Sequence, residues 1–190
     1  MILHPKHRQR LAVAAALAAM LLPAAAAPAD DIEAAARLAA TSAVWPADVV
    51  RLADDYLRRF GDTPQAAAIA HRRDQARAAV EALRRPDVML FRPAFTEAAV
   101  ADPEACADAQ LAAAGDRAAI RRLAERAAAA HSPRVVGWLQ YGVALGDDEA
   151  AYALALHYRR QDQPALAQMY ESQALAMGYA PPLALDHARK

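Results

Sequence analysis

One stretch constrains the fold of this chain more than any other: Gly146 to Pro182, GDDEAAYALALHYRRQDQPALAQMYESQALAMGYAPP. Asp147 stands where a helix N-cap belongs, and Asp148 and Glu149 follow in the first turn, where the helix dipole favours negative charge. Ala151, Leu154, Ala155 and Tyr158 recur at i, i+3, i+4 and i+7, one face of an α-helix. Tyr152 and Leu156 widen that stripe, so the helix has neighbours on two sides. Arg159 and Arg160 close it with positive charge. After the polar turn Gln161-Asp162-Gln163, Pro164 suits the first position of a second helix, where a backbone N–H would have no partner anyway. Leu166, Met169, Tyr170, Ala174 and Met177 form its stripe, Gly178 can end it in the left-handed conformation, and Pro181-Pro182 restart the chain. Such an αα-hairpin, over 147–182, cannot bury both apolar faces alone and needs stacked neighbours.

These residues carry a resemblance. The pattern Ala151-x-x-x-Ala155-x-x-Tyr158, followed by Ala167-x-x-Tyr170-x-x-x-Ala174-x-x-x-Gly178, is similar to a repeat of the Sel1-like branch of the tetratricopeptide (TPR) superfamily. It covers about 35 of the 190 residues. Leu154-Ala155 stands in place of that family's Leu-Gly pair, and Gln161-Asp162-Gln163 in place of its Gly-rich turn. A second phrase, Tyr56-Leu57-Arg58-Arg59-Phe60-Gly61-Asp62-Thr63-Pro64-Gln65-Ala66, resembles tetratricopeptide repeats of bacterial envelope proteins. The resemblance implies an all-α chain, an irregular αα-hairpin array of the TPR/Sel1-like solenoid kind, and implies nothing about its partner.

Composition agrees with an all-α fold. Hydrophobic residues make up 56% but aromatics only 6%; alanine supplies much of the apolar content, which favours helix and close helix contact. No alternating apolar run long enough for a half-buried strand is present. The single cysteine, Cys106, excludes intramolecular disulfides and a cysteine-based zinc site; it is either a small buried hydrophobe or a reactive or intermolecular thiol.

Residues 1–29 read as a signal peptide. Lys6, Arg8 and Arg10 form a basic start, and Leu11–Leu22 contains no polar side chain. That run is shorter than the roughly 20 residues a membrane-spanning helix needs. Ala27-Pro28-Ala29 fits a small-residue cleavage site before Asp30, with cleavage a few residues earlier or an uncleaved anchor as the alternatives. No cysteine stands at this junction to carry a lipid. The expectation is a periplasmic or secreted product with no stable membrane span after signal cleavage. Removing Lys6, Arg8 and Arg10 and no acidic residue leaves 19 Lys and Arg against 22 Asp and Glu, a formal −3. With no basic patch and interleaved aromatics, nucleic acid is not the expected partner.

The rest divides into N-terminal helices over 30–84, a linker over 85–95 and a C-terminal helical array over 96–190. Asp30–Ser42 reads as helix, broken at Trp45-Pro46, and Pro46–Phe60 as the next. Thr63-Pro64, an N-cap with proline after it, opens a long helix to about Arg84, which makes Pro46–Arg84 a second hairpin. Two prolines bracket Val88–Phe91, which is either a strap tucked onto the helices or an exposed partner-binding strand. Thr96 caps a short turn; Asp102-Pro103, Asp116 and Ser132-Pro133 start further helices. Pro64, Pro103, Pro133 and Pro164 thus punctuate an irregular set of about three hairpins. Helix 116–130 lines up with 164–177 at an offset of 47 residues (Leu123 with Tyr170, Ala127 with Ala174), longer than the about 34–40 usual for such repeats.

No catalytic, cofactor or metal constellation is expected. His71, His131, His157 and His187 lack helical metal-ligand spacing, and Asp54-Asp55 and Asp147-Asp148 are adjacent pairs whose side chains diverge on a helix. Ser42, Ser132 and Ser172 lack a nucleophile-elbow context, and the six glycines are scattered singly. The chain is therefore expected not to be an enzyme but an exported interaction or scaffold module of the bacterial cell envelope, holding an unidentified envelope protein or peptide. Candidate partner-binding residues are Trp138, Tyr141, Tyr152, Tyr158 and Tyr170, each of which could instead pack between hairpins. The alternative is a helical cell-wall enzyme or enzyme accessory subunit, which would gather Glu97, Glu104, Glu125 or Glu171 in one cleft. A carrier of apolar small molecules fits less well, because alanine-rich faces let helices close.

Overall fold

A computed structural model describes residues 29–180. The signal peptide expected over 1–29 lies outside the described residues except for Ala29, as do Pro181-Pro182 and the tail behind them. Among the described residues there are nine helices and no strand: α1 Ala29–Ser42, α2 Pro46–Phe60, α3 Ala66–Leu83, α4 Arg92–Ala101, α5 Pro103–Ala113, α6 Arg117–Ala129, α7 Arg134–Ala144, α8 Asp148–Arg160 and α9 Pro164–Ala176. None of these helices is long and apolar enough to cross a membrane.

Local chemistry sets most of the helix ends. Asp102, Asp116 and Asp147 each accept the backbone N–H three residues on, at 2.7, 2.7 and 3.1 Å, and so cap α5, α6 and α8. Proline occupies the first turn of α2, α4, α5 and α9, where a missing N–H is tolerated. Thr63 does not cap α3 as expected. Its hydroxyl bonds instead to the Phe60 carbonyl (2.8 Å) and the Tyr56 hydroxyl (2.8 Å), so Pro64-Gln65 form a turn and the helix starts at Ala66.

Helices pack chiefly on their neighbours in sequence, most extensively as α2 with α3, α4 with α5, α6 with α7 and α8 with α9. That makes four pairs, one more than the sequence suggested. The extra pair comes from α4, which begins inside the expected linker at Arg92 with Pro93 in its first turn. The last two pairs are related in register. Asp116 and Asp147 lie 31 residues apart, as do Pro133 and Pro164 and the left-handed residues His131 (φ 50°) and Asp162 (φ 55°). In the second helix of each pair the spacing is 32: buried Trp138 and Tyr170 correspond, as do Gly142 and Ala174, and Gly146 and Gly178. The 47-residue offset matched α6 to α9, which hold opposite places in their pairs. Alanine-rich stripes are too alike to set a register; the turns set it.

The main core runs from Val49 in α2 to Ala174 in α9, and a smaller cluster of Ala40, Ala53, Tyr56 and Ile69 joins α1, α2 and α3. An aromatic knot ties the chain's middle together: Phe95 of α4 lies 4.7 Å from Trp138, 5.9 Å from Tyr141 and 5.3 Å from Trp45, ring centre to ring centre. Such pairs add about 0.5–1.5 kcal/mol each beyond their buried area. The segment before α4 is a strap on α7. Val88 and Leu90 point inward and are buried, while Met89 and Phe91 point outward. Met89 N–H donates to Gln140 Oε1 at 3.0 Å, and a Cβ at Gly137 would come within 2.5 Å of the Met89 carbonyl oxygen. Only glycine at position 137 lets the strap lie this close.

Candidate functional site

A groove between α6 and α8 is shaped to hold another molecule. Its shape follows from how the two pairs are clasped. The Asp147 carboxylate, 1% exposed, takes the Ala150 N–H on Oδ1 and the Arg121 guanidinium on Oδ2 at 2.6 Å. Arg121 also reaches Glu149 at 3.1 Å. One arginine of α6 thus fixes the start of α8. The corresponding contact one pair further on, by the same register, is Tyr152 stacked on Tyr179 with ring centres 4.4 Å apart.

Between the two helices lies a groove of about 220 Å³ with an apolar floor of Ala128, Val135, Leu139, Ala153 and Leu156. Arg121, Glu125, His157 and Arg160 stand along its rim. It opens at one end toward Tyr152 and Tyr179, and at the other toward His131, Ser132 and Val136. Burial, and then the neighbouring Arg160 charge, lower the His157 pKa, so the ring is neutral at pH 7. The groove therefore offers an apolar bed between fixed charges of both signs.

Of the five aromatic candidates none lines the groove itself; Tyr152 alone stands at one of its ends. Trp138 and Tyr141 are core residues, 2% and 0% exposed; Tyr141 donates its hydroxyl to the Ala112 carbonyl at 2.8 Å, and burial raises its pKa far above the usual phenol value. They are drawn inward because Phe95, unassigned in the sequence reading, supplies the ring they pack on. Tyr170 is buried, and half-buried Tyr158 stacks on it with ring centres 5.6 Å apart. Leu156, His157, Arg160 and Arg121 were missed as site residues; pairing α6 with α8 at 31 residues would have exposed them.

Three of the four glutamates are held in ion pairs. Glu97 pairs with Arg134, Glu104 with Arg126 at 2.7 Å and Glu171 with Arg159 at 2.6 Å, while Glu125 lines the α6–α8 groove. Among the described residues no group of three or more His, Cys, Asp or Glu is placed to hold a metal ion. Cys106 is half-buried on α5, its sulfur 3.7 Å from Gln110 Nε2.

No protein-family model matches the sequence, and no match to it was found among curated proteins or among solved structures. The all-helical array with tightly packed neighbours is compatible with a helical repeat.

Proposed function

We propose that the chain is an exported helical-repeat module of the TPR/Sel1-like solenoid kind that holds a peptide segment of an envelope protein in the α6–α8 groove. The observation that carries this reading is the groove itself, an apolar floor on two clasped, register-related helices with charges of both signs along the rim. Such a surface suits an extended or helical segment with one or two aliphatic anchors and flanking charges. Its rigidity lowers the ordering cost of binding. The alternative, a cell-wall enzyme, draws no support from the placement of Glu97, Glu104, Glu125 and Glu171, three of which are tied to arginines of other helices.

The test is site-specific photocrosslinking in cells, with a photoreactive residue at Leu156 in the groove and, as control, at exposed Ala68 of α3. A discrete adduct at Leu156 alone, lost with Tyr152→Ala, supports the reading. No adduct, or equal adducts at both positions, refutes it. Fractionation of the same cells tests export: recovery of an uncleaved chain from the cytoplasm would remove the envelope from the proposal.

A further inference from the structure

The chain leaves α9 at one mouth of the α6–α8 groove. Gly178 turns left-handed (φ 101°), and the Tyr179 N–H donates to the Ala174 carbonyl at 3.0 Å, which closes the helix end. Tyr179 then stacks on Tyr152. These two contacts anchor the exit of the chain. Ala180 lines the opening beyond Tyr152 together with Arg121, Glu125, Ala153 and Leu156, four residues that also line the groove itself. Whatever follows Ala180 therefore starts at the groove's open end.

The segment that follows, over 181–190, reads Pro181-Pro182-Leu183-Ala184-Leu185-Asp186-His187-Ala188-Arg189-Lys190 and lies outside the described residues. Its composition matches the groove in order from the mouth. Pro181-Pro182 favours an extended entry and brings no charge past Glu125, Asp148 and Glu149. Leu183 and Leu185, two residues apart, share one side of an extended segment and suit the bed of Val135, Leu139, Ala153 and Leu156. Asp186 is the only acidic residue of the segment. At the far end of the groove stands Arg160, exposed and with no ion-pair partner among the described residues; His131 and His157 line that end with it, and no carboxylate does. The lengths agree as well. From Tyr152 to Arg160 α8 rises about 12 Å, and residues 181–186 span up to about 20 Å when extended.

Tethering favours this segment over a free molecule of similar chemistry. A short link holds its end near the site at an effective concentration on the order of millimolar. A segment that binds only weakly on its own still fills the groove at that concentration, whereas a second copy of the chain at micromolar concentration does not. A partner peptide must displace it, so the partner's apparent affinity falls in proportion to the fraction of grooves left open.

We infer that residues 181–190 dock in the α6–α8 groove of their own chain, with Leu183 and Leu185 on its apolar bed and Asp186 against Arg160, and so hold it closed to other occupants. This regulation rests on the groove being the holding site of the proposed function; docking of the tail itself is measured in the isolated chain, so either can fail while the other stands. In the full chain with Cys106→Ser, Leu185→Cys is paired either with Leu156→Cys in the groove or with Leu175→Cys, exposed on α9 and nearer along the chain. Disulfide closure within one chain is followed in dilute solution by non-reducing electrophoresis and peptide mass mapping. The expected result is closure to position 156 roughly tenfold faster than to position 175. Ala153→Cys, on the same bed, should behave as Leu156→Cys does. Asp186→Arg should slow closure to position 156 about two- to fivefold, as loss of an exposed ion pair does, and Arg160→Asp in the same chain should restore it. Equal rates at positions 156 and 175, a faster rate at 175, disulfides formed only between chains, a rate that Asp186→Arg leaves unchanged, or a charge swap that restores nothing would overturn the inference.

Discussion

Gly137→Ala sets helix propensity against packing, and the structure says that packing wins. In the interior of α7, glycine is about 0.8–1.0 kcal/mol less favourable than alanine, so on propensity alone the substitution stabilises. The new Cβ, however, would stand 2.5 Å from the Met89 carbonyl oxygen, 3.1 Å from its carbon and 3.3 Å from Leu90 Cδ1. The first contact is with backbone, so relief requires the strap itself to lift off α7. Overpacking of this kind costs about 1–3 kcal/mol. The shift also loosens the Met89 N–H bond to Gln140 Oε1, worth about 1 kcal/mol. The net expectation is a destabilisation of about 1–3 kcal/mol, or about 4–8 °C in Tm for the middle of that range in a chain of this size. Urea unfolding of the full chain, with the slope m checked for constancy, measures it. Gln140→Ala combined with Gly137→Ala should cost less than the two changes separately, because both act on the same strap contact. A Gly137→Ala protein as stable as the parent, or more so, would refute the account of the strap.

Arg121→Ala should destabilise by about 1–3 kcal/mol, because it leaves the Asp147 carboxylate buried with only its backbone partner. In the double variant with Asp147→Ala the effects should be clearly less than additive in urea unfolding; strict additivity would deny the clasp. Phe95→Ala removes the ring that Trp45, Trp138 and Tyr141 share and should cost about 3–5 kcal/mol, read by loss of near-ultraviolet circular dichroism at lower denaturant. A cost below 1 kcal/mol would show the knot to be dispensable. His157 should titrate below the ordinary histidine value of about 6.5 in NMR. Because its folded pKa is depressed, the stability it contributes is present above the unfolded pKa and is lost as pH falls below about 6.5. His157→Gln should flatten that acid limb, and an unchanged limb would count against it.

Much of the local structure was readable because it depends on neighbours in sequence. Asp102, Asp116 and Asp147 cap the helices expected of them, and the hairpin over 147–176 forms between Asp147 and Gly178 as its residues dictate. Thr63 shows the limit: a tertiary partner, Tyr56, claims the hydroxyl that local chemistry assigned to a cap. The groove was legible only in part. Tyr152 was singled out, but Leu156, His157 and Arg121 draw their meaning from α6 and α8 lying side by side.

The sequence by itself determined that the described chain is helical, where most of its helices start, and that no single hairpin could stand alone. These are properties of i to i+4 spacing, caps and alanine content, all encoded within a few residues. The tertiary structure alone decided which helices are equivalent, that Trp138 and Tyr141 are buried on Phe95 while Met89 and Phe91 face outward, and that the strap lies across Gly137. Apolar stripes of alanine and leucine fit many neighbours equally well. Which neighbour each one meets is settled only when large rings, close glycine contacts and a buried ion pair must all be satisfied in one packing.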